Sequence, residues 1–414
     1  MKSFLLCVTV AATAIAAGTV ATAQPRAASG GGTANYWMSA ETVSGMAAQS
    51  QAGQGSMIGA MMSGRGPGSQ SYVRNLTLQL GSPRRPTGAP SAEHLPPTVL
   101  NAGPSLPLVS PEARPTPRTE RPTQWGTSDG GAQGRILYYW GCGDRVRQGQ
   151  PVEIDLSRLQ PGQVPPGMTA GANVRTMTPP SSGTSGTYGE WPNPRSRVQI
   201  PANGSLVGDH VIRGNYSPEI RFALAQNQDF LAPITITSNT AAASGAVPVA
   251  WQAVPNARAY FLSAVGSRED GTIVMWTSSE IQFNQANLDY LSQEEIARLI
   301  QQRVLLNAQT TQCTVPAEVA RSVQAASLMM TAFGPEANFS HPARPANAPR
   351  GWAPDWTVKL RTRSTYMGML GMDMAAMMRG EDSDDGGDAR QSQAEQPRRR
   401  RSLGDRLRDR LIGQ

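Results

Sequence analysis

Methionine is the residue type whose spacing in this chain points most directly to chemistry. Soft thioether sulfurs prefer Cu(I), and MxM or MxxM spacings can bring two or three sulfurs to one ion. Such spacings occur within residues 367–378, which hold six of the 17 methionines: Met367, Met369, Met372, Met374, Met377 and Met378. This segment is a candidate Cu(I) site, and the alternative interpretation is a pliable apolar surface that contacts a partner or lipid.

Side chains suited to acid–base or nucleophilic catalysis are few and scattered. The three histidines, His94, His210 and His341, fall in separate loop-like segments, so we expect each to be an ordinary surface residue. The chain contains no GxSxG, HExxH, Walker or CxxC motif. We therefore expect a non-enzymatic protein without a resident cofactor. A hydrolase stays open as an alternative, because a catalytic pair of carboxylates needs no sequence motif.

Residues 1–23 have the features of a secretory signal peptide. Lys2 precedes an apolar run, and the small residues Ala21 and Ala23 stand just before Gln24. We expect the mature chain to begin near Gln24 and to work in the periplasm or at the cell surface of a bacterium. For such an exported protein, residues 367–378 resemble the methionine motifs of bacterial periplasmic copper-handling proteins, without the histidines that often accompany those motifs.

Two cysteines, Cys142 and Cys313, remain once the signal peptide and its Cys7 are removed. An even pair in an oxidising compartment predicts a disulfide, and two cysteines allow one intramolecular pairing. Two separate buried thiols are the alternative.

Glycine and proline mark the segments that connect the structured regions, with 42 Gly and 33 Pro in 414 residues. Residues 24–70, rich in Gly and Met, are predicted to be flexible. Residues 71–134 predict a short strand at Leu76–Leu80 and then a Pro-rich connector that runs extended. A hydrophobic content of 39% with a net charge of +7 excludes a wholly disordered chain, so the remaining residues must hold a core.

Short β-prone runs separated by Gly, Pro and Asn turns begin at residue 135. They cover residues 135–140, 151–156, 197–200, 219–224 and 233–237, with a surface loop expected between 159 and 195. No long helical periodicity lies between them, which favours an antiparallel sandwich over βαβ units. The fold class predicted is mainly β, with the first sandwich over residues 135–240.

A second sandwich is predicted over residues 241–366. The run 247–251 ends in Trp251, and a turn then leads to Tyr260 and to the apolar strand 272–276. This order of residues resembles the B, C and C′ region of a fibronectin type III domain, best over about 35 residues. The resemblance implies a tryptophan packed between two sheets, with the tyrosine strand opposite it. Unlike that family, this chain inserts a helix, predicted at 293–306 from the capping box of Ser292 and Glu295 and an apolar stripe at Ile296, Leu299, Ile300 and Val304.

The C-terminal segment 379–414 carries charge of both signs. Residues 380–396 have six acidic groups against Arg390, whereas residues 397–414 have seven arginines against two aspartates. The basic part holds a run of arginines and three leucines at helical spacing: Arg398, Arg399, Arg400, Arg401, Leu403, Leu407 and Leu411. A short helix of this kind needs a surface that accepts arginines and leucines, such as anionic lipid or lipopolysaccharide. A solvated disordered tail is the alternative.

Taken as a whole, the sequence favours a non-enzymatic exported envelope protein that acts through β-sandwich domains and flexible ends. The partner expected is an envelope protein or an anionic membrane surface. Nucleic acid is disfavoured, because the chain is exported and lacks an aromatic-lined basic platform.

Overall fold

The structure, a computed structural model, describes residues 32–52, 72–111, 134–158, 174–283 and 288–372. Strands dominate these residues, which confirms the mainly β fold class. The predicted signal peptide 1–23 and the charged tail 379–414 lie outside the described residues. No helix among the described residues is long and apolar enough to cross a membrane.

The elements are numbered in chain order. The strands are β1 (Ala34–Gly45), β2 (Tyr72–Ser82), β3 (Ala92–Leu95), β4 (Leu106–Leu108), β5 (Arg135–Trp140), β6 (Val152–Asp155), β7 (Thr187–Trp191), β8 (Gly208–Gly214), β9 (Ile220–Leu224), β10 (Ile236–Asn239), β11 (Val247–Trp251), β12 (Ala259–Ser267), β13 (Ile273–Thr277), β14 (Leu306–Asn307), β15 (Gln312–Val315), β16 (Ala325–His341) and β17 (Trp356–Met369). The α-helices are α1 (Met46–Ala52), α2 (Gln293–Gln301) and α3 (Ala317–Arg321). Short 3-10 turns occupy Thr98–Leu100, Leu156–Arg158 and Gln226–Gln228.

The strands form one ten-stranded sheet and two smaller sheets. The large sheet has the order β6-β5-β13-β12-β16-β17-β1-β2-β7, with β14 paired to β12. Most of its neighbours are antiparallel, but β1 pairs with β17 and β5 with β13 in parallel. The small sheets have the orders β10-β11-β15 and β4-β3-β8-β9.

Both small sheets pack on the same face of the large sheet. Side chains two residues apart in a strand point to one face, so the even-numbered residues of β17 share a side. Of these, Leu360 lies in the core beneath the four-stranded sheet, and Tyr366 packs against the core beneath the three-stranded sheet. We call these the first core and the second core.

A β-bulge in β16 keeps both halves of this long strand facing the two cores. Even-numbered residues such as Leu328 and Met330 enter the second core, whereas Ala337 and Phe339 face the first core. The register shifts by one residue between Phe333 and Glu336, and one extra residue reverses the alternation.

Helix α2 covers the opposite face of the sheet. The Oγ of Ser292 accepts a hydrogen bond from the Glu295 amide at 3.1 Å, which confirms the predicted helix start. Ile296 and Leu299 pack against Phe261 of β12. The helix ends at Gln301 instead of residue 306, because Arg303 takes a left-handed conformation (φ 59°) and turns the chain.

Four predictions about organisation differ from the structure. The surface loop expected between 159 and 195 contains β7, which pairs with β2 at one edge of the large sheet. Residues 34–52 of the predicted flexible segment form β1 and α1, and the predicted connector 71–134 contains β3 and β4 besides the expected strand in β2. In β1 most residues on both faces are buried, so its sequence lacks a clean alternation. The strands also pair across the predicted boundary at residues 240 and 241, since β5 joins β13 in the large sheet.

The predicted disulfide is present between Cys142 and Cys313, whose Cα atoms are 5.2 Å apart. It links the residues after β5 to β15 over a sequence separation of 171 residues. Both cysteines belong to the second core, Cys313 buried and Cys142 partly buried.

Removing this disulfide should lower the stability of the fold, because the unfolded chain then gains conformational entropy. For a loop of this length the chain-entropy relation gives about 4 to 5 kcal/mol as an upper value. We expect the double substitution Cys142→Ser and Cys313→Ser to reduce the free energy of unfolding in urea by up to this amount. Dithiothreitol treatment of the unmodified chain should give the same shift. Two free thiols in non-reducing peptide maps of exported protein would contradict the pairing.

Candidate functional site

A recess among the described residues lies beside β2 and β7, on the face of the large sheet opposite the two cores. It is an open groove with a volume of about 1420 Å³. Its charged lining consists of Glu41, Arg74, Glu190, Arg195 and Arg197. Uncharged polar side chains, prolines and two valines complete it, among them Gln51, Asn75, Thr77, Ser110, Asn193, Val109 and Val198.

Strand alternation builds the floor of the groove. In β2, Leu76 and Leu78 point into the first core, so Asn75 and Thr77 face the other way, into the groove. Glu41 of β1 stands directly opposite Asn75 in the sheet register. The Asn75 Nδ2 donates to Gln51 Oε1 of α1 at 3.0 Å, which closes one end.

One wall of the groove is the loop 192–200, held rigidly by the buried side chain of Asn193. Its Nδ2 donates to the carbonyls of Pro107 and Glu190, both at 2.8 Å. Its Oδ1 accepts from the amides of Arg195 and Ser196, both at 3.1 Å. These four hydrogen bonds fix the turn that follows β7.

Two further contacts anchor this loop. The Trp191 indole nitrogen donates to Ser196 Oγ at 3.0 Å, with the ring itself buried. At the other end Ile200 forms an isolated bridge with Arg74 of β2. The strand predicted at 197–200 is therefore reduced to this single bridge.

The loop presents two guanidinium groups and an apolar side chain to solvent. Arg195 and Arg197 are exposed, and their side chains make no hydrogen bond or ion pair with any described residue. Val198 beside them is 47% exposed. Arg74 differs, because its Nη1 donates to the Gly204 carbonyl and its guanidinium lies 5.0 Å from the Phe230 ring centre. The cations available to a ligand in this groove are therefore those of the loop.

The carboxylates of the groove already have partners. Glu41 accepts a hydrogen bond from Arg363 Nη2 at 3.1 Å, and Arg363 also pairs with Asp289. Glu190 Oε2 accepts from the Tyr188 hydroxyl at 2.7 Å, and burial, then this carboxylate, raises the pKa of Tyr188. Glu41 is thus paired with a cation, whereas Glu190 is hydrogen-bonded to a neutral hydroxyl and keeps its negative charge.

Beyond Glu41 the same face continues as a row of paired charges and rings. Arg361 stacks on Tyr290 at 3.9 Å from the ring centre, and burial, followed by the neighbouring Arg363, lowers the pKa of Arg361. Lys359 pairs with Glu336 and lies 5.6 Å from the ring centre of Trp37. These cations already interact with carboxylates or aromatic rings of the same chain. They lie next to the floor of the groove but do not form a second open site.

The predicted methionine site is only partly within the described residues. Met367 and Met369 are half-buried in β17 and Met372 is 43% exposed, whereas Met374, Met377 and Met378 lie outside the described residues. The sheet register places Met329 of β16 directly opposite Met367. Sequence spacing had not indicated this neighbour.

The arginines and leucines predicted to contact a surface also lie outside the described residues. These are Arg398, Arg399, Arg400, Arg401, Leu403, Leu407 and Leu411.

The expectation that all three histidines are surface residues is wrong for two of them. His94 and His210 are completely buried in β3 and β8, and only His341 is exposed. Each lies in a short strand beside a buried residue of the same face, Ala92 for His94 and Ile212 for His210, and this alternation is too short in the sequence to signal burial. Among the described residues, no group of three or more His, Cys, Asp or Glu side chains is arranged to hold a metal ion.

Asn193 offers a direct test of the rigidity of the loop. Asn193→Ala removes four hydrogen bonds from a buried position, which should cost about 1 to 3 kcal/mol of stability. We expect faster trypsin cleavage after Arg195 and Arg197 in peptide mapping. Asn338→Ala, which removes one exposed hydrogen bond to Glu336, is the matched control. Equal cleavage rates at both arginines in all three proteins would show that Asn193 does not hold the loop.

Comparison with known protein families, curated proteins and solved structures finds no match to this chain. A fold by itself does not fix a function, so the functional argument rests on the groove and its side chains. What these side chains can do is bind: they supply two exposed guanidinium groups, several amides and hydroxyls, and an apolar contact at Val198.

Proposed function

We propose that this chain is a non-enzymatic exported envelope protein that binds an extended anionic glycan in the groove beside β2 and β7. The observation that carries the proposal is the pair of unpartnered guanidiniums, Arg195 and Arg197, on a loop fixed by Asn193. Guanidinium groups bind carboxylates and phosphates through paired hydrogen bonds, and a fixed loop loses little entropy on binding.

The shape of the groove supports an extended ligand. Small-molecule pockets usually have volumes of about 300 to 1,000 Å³. This groove is larger, at about 1420 Å³, and its lining alternates amides, hydroxyls and charges with prolines and valines. A sugar chain offers hydroxyls to the polar groups and ring faces to the apolar ones.

The envelope location in this proposal rests on the sequence of residues 1–23. A glycan that carries phosphate or carboxylate, such as lipopolysaccharide, fits both that location and the charge of the loop. The basic tail 397–414 supplies a second contact with anionic lipid in this proposal. Binding through the tail is separable from binding in the groove, since the tail can be deleted.

We also infer that residues 245–366 are similar to a fibronectin type III domain in their packing. The support is the pair Trp251 and Tyr260, whose ring centres are 5.4 Å apart across the two facing sheets. The Tyr260 hydroxyl accepts a hydrogen bond from the Val254 amide at 2.9 Å. A tryptophan between sheets with a tyrosine strand opposite is the arrangement that the sequence resemblance implies.

The groove proposal predicts a charge-specific loss of binding. Arg195→Gln with Arg197→Gln should weaken lipopolysaccharide binding about tenfold or more, equivalent to about 1.4 kcal/mol, in sedimentation assays at moderate salt. Arg145→Gln with Arg350→Gln changes the net charge equally at two exposed arginines outside the groove, and is the control.

Both double variants should be made in a chain that ends at residue 396, so that the basic tail does not contribute. Equal binding by the two variants, or no binding by the parent chain at low salt, would reject the groove as the site. Lipid-free anionic polysaccharide should bind with the same dependence on Arg195 and Arg197, whereas a requirement for lipid would reject a glycan ligand.

Cu(I) binding is the second candidate function, favoured by the register that sets Met329 opposite Met367. Residues directly opposite in a sheet have Cβ atoms about 5 Å apart, and Met369 lies on the same face two residues further along β17. Three thioethers in this arrangement match the soft donor set that Cu(I) prefers.

A competition titration with a chromophoric Cu(I) chelator tests this candidate. We expect Met367→Leu with Met369→Leu to lower the Cu(I) affinity at least tenfold. Met275→Leu, at a buried methionine of β13, should leave the affinity unchanged. No Cu(I) binding by the unmodified chain, or equal affinity in both variants, would exclude a site on β17.

A further inference from the structure

A continuous chain of hydrogen bonds crosses the first core. The Tyr36 hydroxyl lies 2.5 Å from His94 Nδ1, His94 Nε2 lies 2.8 Å from His210 Nδ1, and His210 Nε2 lies 2.7 Å from the Leu206 carbonyl oxygen. All three side chains are fully buried. Tyr36 belongs to β1 of the large sheet, whereas the two histidines belong to β3 and β8 of the four-stranded sheet. The chain therefore joins the two layers.

The Leu206 carbonyl at one end determines which atom carries each hydrogen in this chain of hydrogen bonds. A carbonyl oxygen can only accept, so His210 Nε2 must carry a hydrogen, and its Nδ1 is free to accept when the ring is neutral. His94 must then donate from Nε2 and accept at Nδ1 from the Tyr36 hydroxyl. Each ring is neutral, and each nitrogen is used once.

An added proton has no place in this arrangement. If the proton binds to His210 Nδ1, two N–H groups face each other, one on His210 and one on His94. If it binds to His94 Nδ1 instead, that N–H faces the Tyr36 hydroxyl, whose own hydrogen must then point away. In both cases a positive charge is buried in an apolar core.

Among the described residues, no carboxylate makes a hydrogen bond or ion pair with either ring. The titratable groups near the two histidine rings are the hydroxyls of Tyr36 and Tyr216. Phe222 of β9 stacks on His210 at 4.9 Å, and β2, β16 and β17 contribute apolar side chains to the core.

The carboxylates nearest to the two histidines in the sequence are hydrogen-bonded to other groups or point to solvent. Glu93 accepts from the Ser105 hydroxyl, and Asp229 accepts from Ser205 and from the Leu206 amide. Asp209 is exposed on the outer face of β8.

Burial has the expected effect on the two rings. It lowers the pKa of His94 well below its ordinary value, with a further contribution from His210. It lowers the pKa of His210 to about 4, against the weaker opposing influence of the Leu206 carbonyl and Asp209.

We propose that the Tyr36–His94–His210 chain is an acid-operated latch, in which protonation of the histidine pair releases the four-stranded sheet from the large sheet. The second core has no histidine and carries the Cys142–Cys313 disulfide, so it stays folded. The latch is independent of the groove and its ligand.

The direction of the pH effect follows from proton uptake. In the released state both histidines recover a pKa near 6.5, so that state binds more protons than the latched state below this pH. The latch is fully closed above about pH 7 and weakens as the pH falls from 6.5 toward 4. Each histidine raises the opening constant about tenfold per pH unit in this window.

Hydrogen exchange measured by mass spectrometry on the full chain, with its disulfide intact, tests the latch. After correction for intrinsic exchange rates, the amides of β3 and β8 should lose protection at least tenfold between pH 6.5 and 5. Those of β12 and β16 near the second core should keep it. Unchanged protection of β3 and β8 down to pH 4.5, or an equal loss in both cores, would overturn the proposal.

Substitutions separate the histidines from other acid effects. Tyr36→Phe, His94→Phe and His210→Phe together remove the titrating rings while keeping aromatic side chains, and should abolish the pH dependence. His341→Gln leaves the whole hydrogen-bond chain in place and should preserve it. Retention of the pH dependence in the triple variant would overturn the proposal.

If the triple variant does not fold, proton NMR of the three histidines in the unmodified chain decides. The His94 and His210 signals should hold their neutral positions and change only when β3 and β8 lose protection. Titration of both near pH 6.5 with protection retained would contradict the latch.

Discussion

The parallel pairing of β1 with β17 is the constraint on which the rest of the structure depends. The two strands run side by side from Ala34 with Trp356 to Gly45 with Met367. Because β17 contributes to both cores, this one ladder supports the four-stranded and the three-stranded sheets together. Its partners are more than 300 residues apart in the sequence, so the large sheet is completed only when the end of β17 is available.

Both cores lie on one face of the large sheet, and the other face is apolar beneath α2 and largely polar beside the groove. On the polar part, the charged side chains of β1 and β17 are mostly paired with one another or with neighbouring residues. The exceptions, Arg195 and Arg197, do not belong to the sheet at all. They stand on a loop whose geometry is fixed by a buried asparagine, so the sheet supplies a rigid floor and the loop supplies the open charge.

Local patterns predicted some elements of this fold, whereas the contacts between distant parts of the chain could not be predicted. The helix start at Ser292, the alternation of Leu76–Leu80 and the even pair of cysteines each depend on neighbours in sequence or on simple counting, and each is confirmed. The reciprocal bond of the predicted capping box is not formed, because the Glu295 carboxylate accepts from Arg175 and Arg298 instead. Strand β1 was missed because burial on both faces removes the alternation on which prediction relies.

The groove could not be predicted for a related reason. It is made of residues from β1, β2, the end of β4 and the loop after β7, which the chain brings together only through tertiary pairing. In the sequence, Asn193 between two prolines predicts an ordinary turn. Its four hydrogen-bond partners are visible only in the structure. The buried histidines were likewise hidden, since their partners lie on three different strands and a loop.

A line of hydroxyl side chains runs between the two cores on the large sheet. Thr42 and Ser44 of β1, with Thr362 and Ser364 of β17, are buried on the face shared by both cores. Thr42 and Ser44 donate to the carbonyls of Leu231 and Ile234, in the segment that crosses this face between β9 and β10. Thr362 donates to the Pro335 carbonyl, whereas the buried Ser364 hydroxyl has no hydrogen-bond partner among the described residues. These polar groups interrupt the apolar contacts between the two cores, although the backbone ladder of the large sheet is continuous. We therefore expect the two halves of the large sheet to open as separate cooperative units, with the boundary along a stripe of serine and threonine instead of a linker.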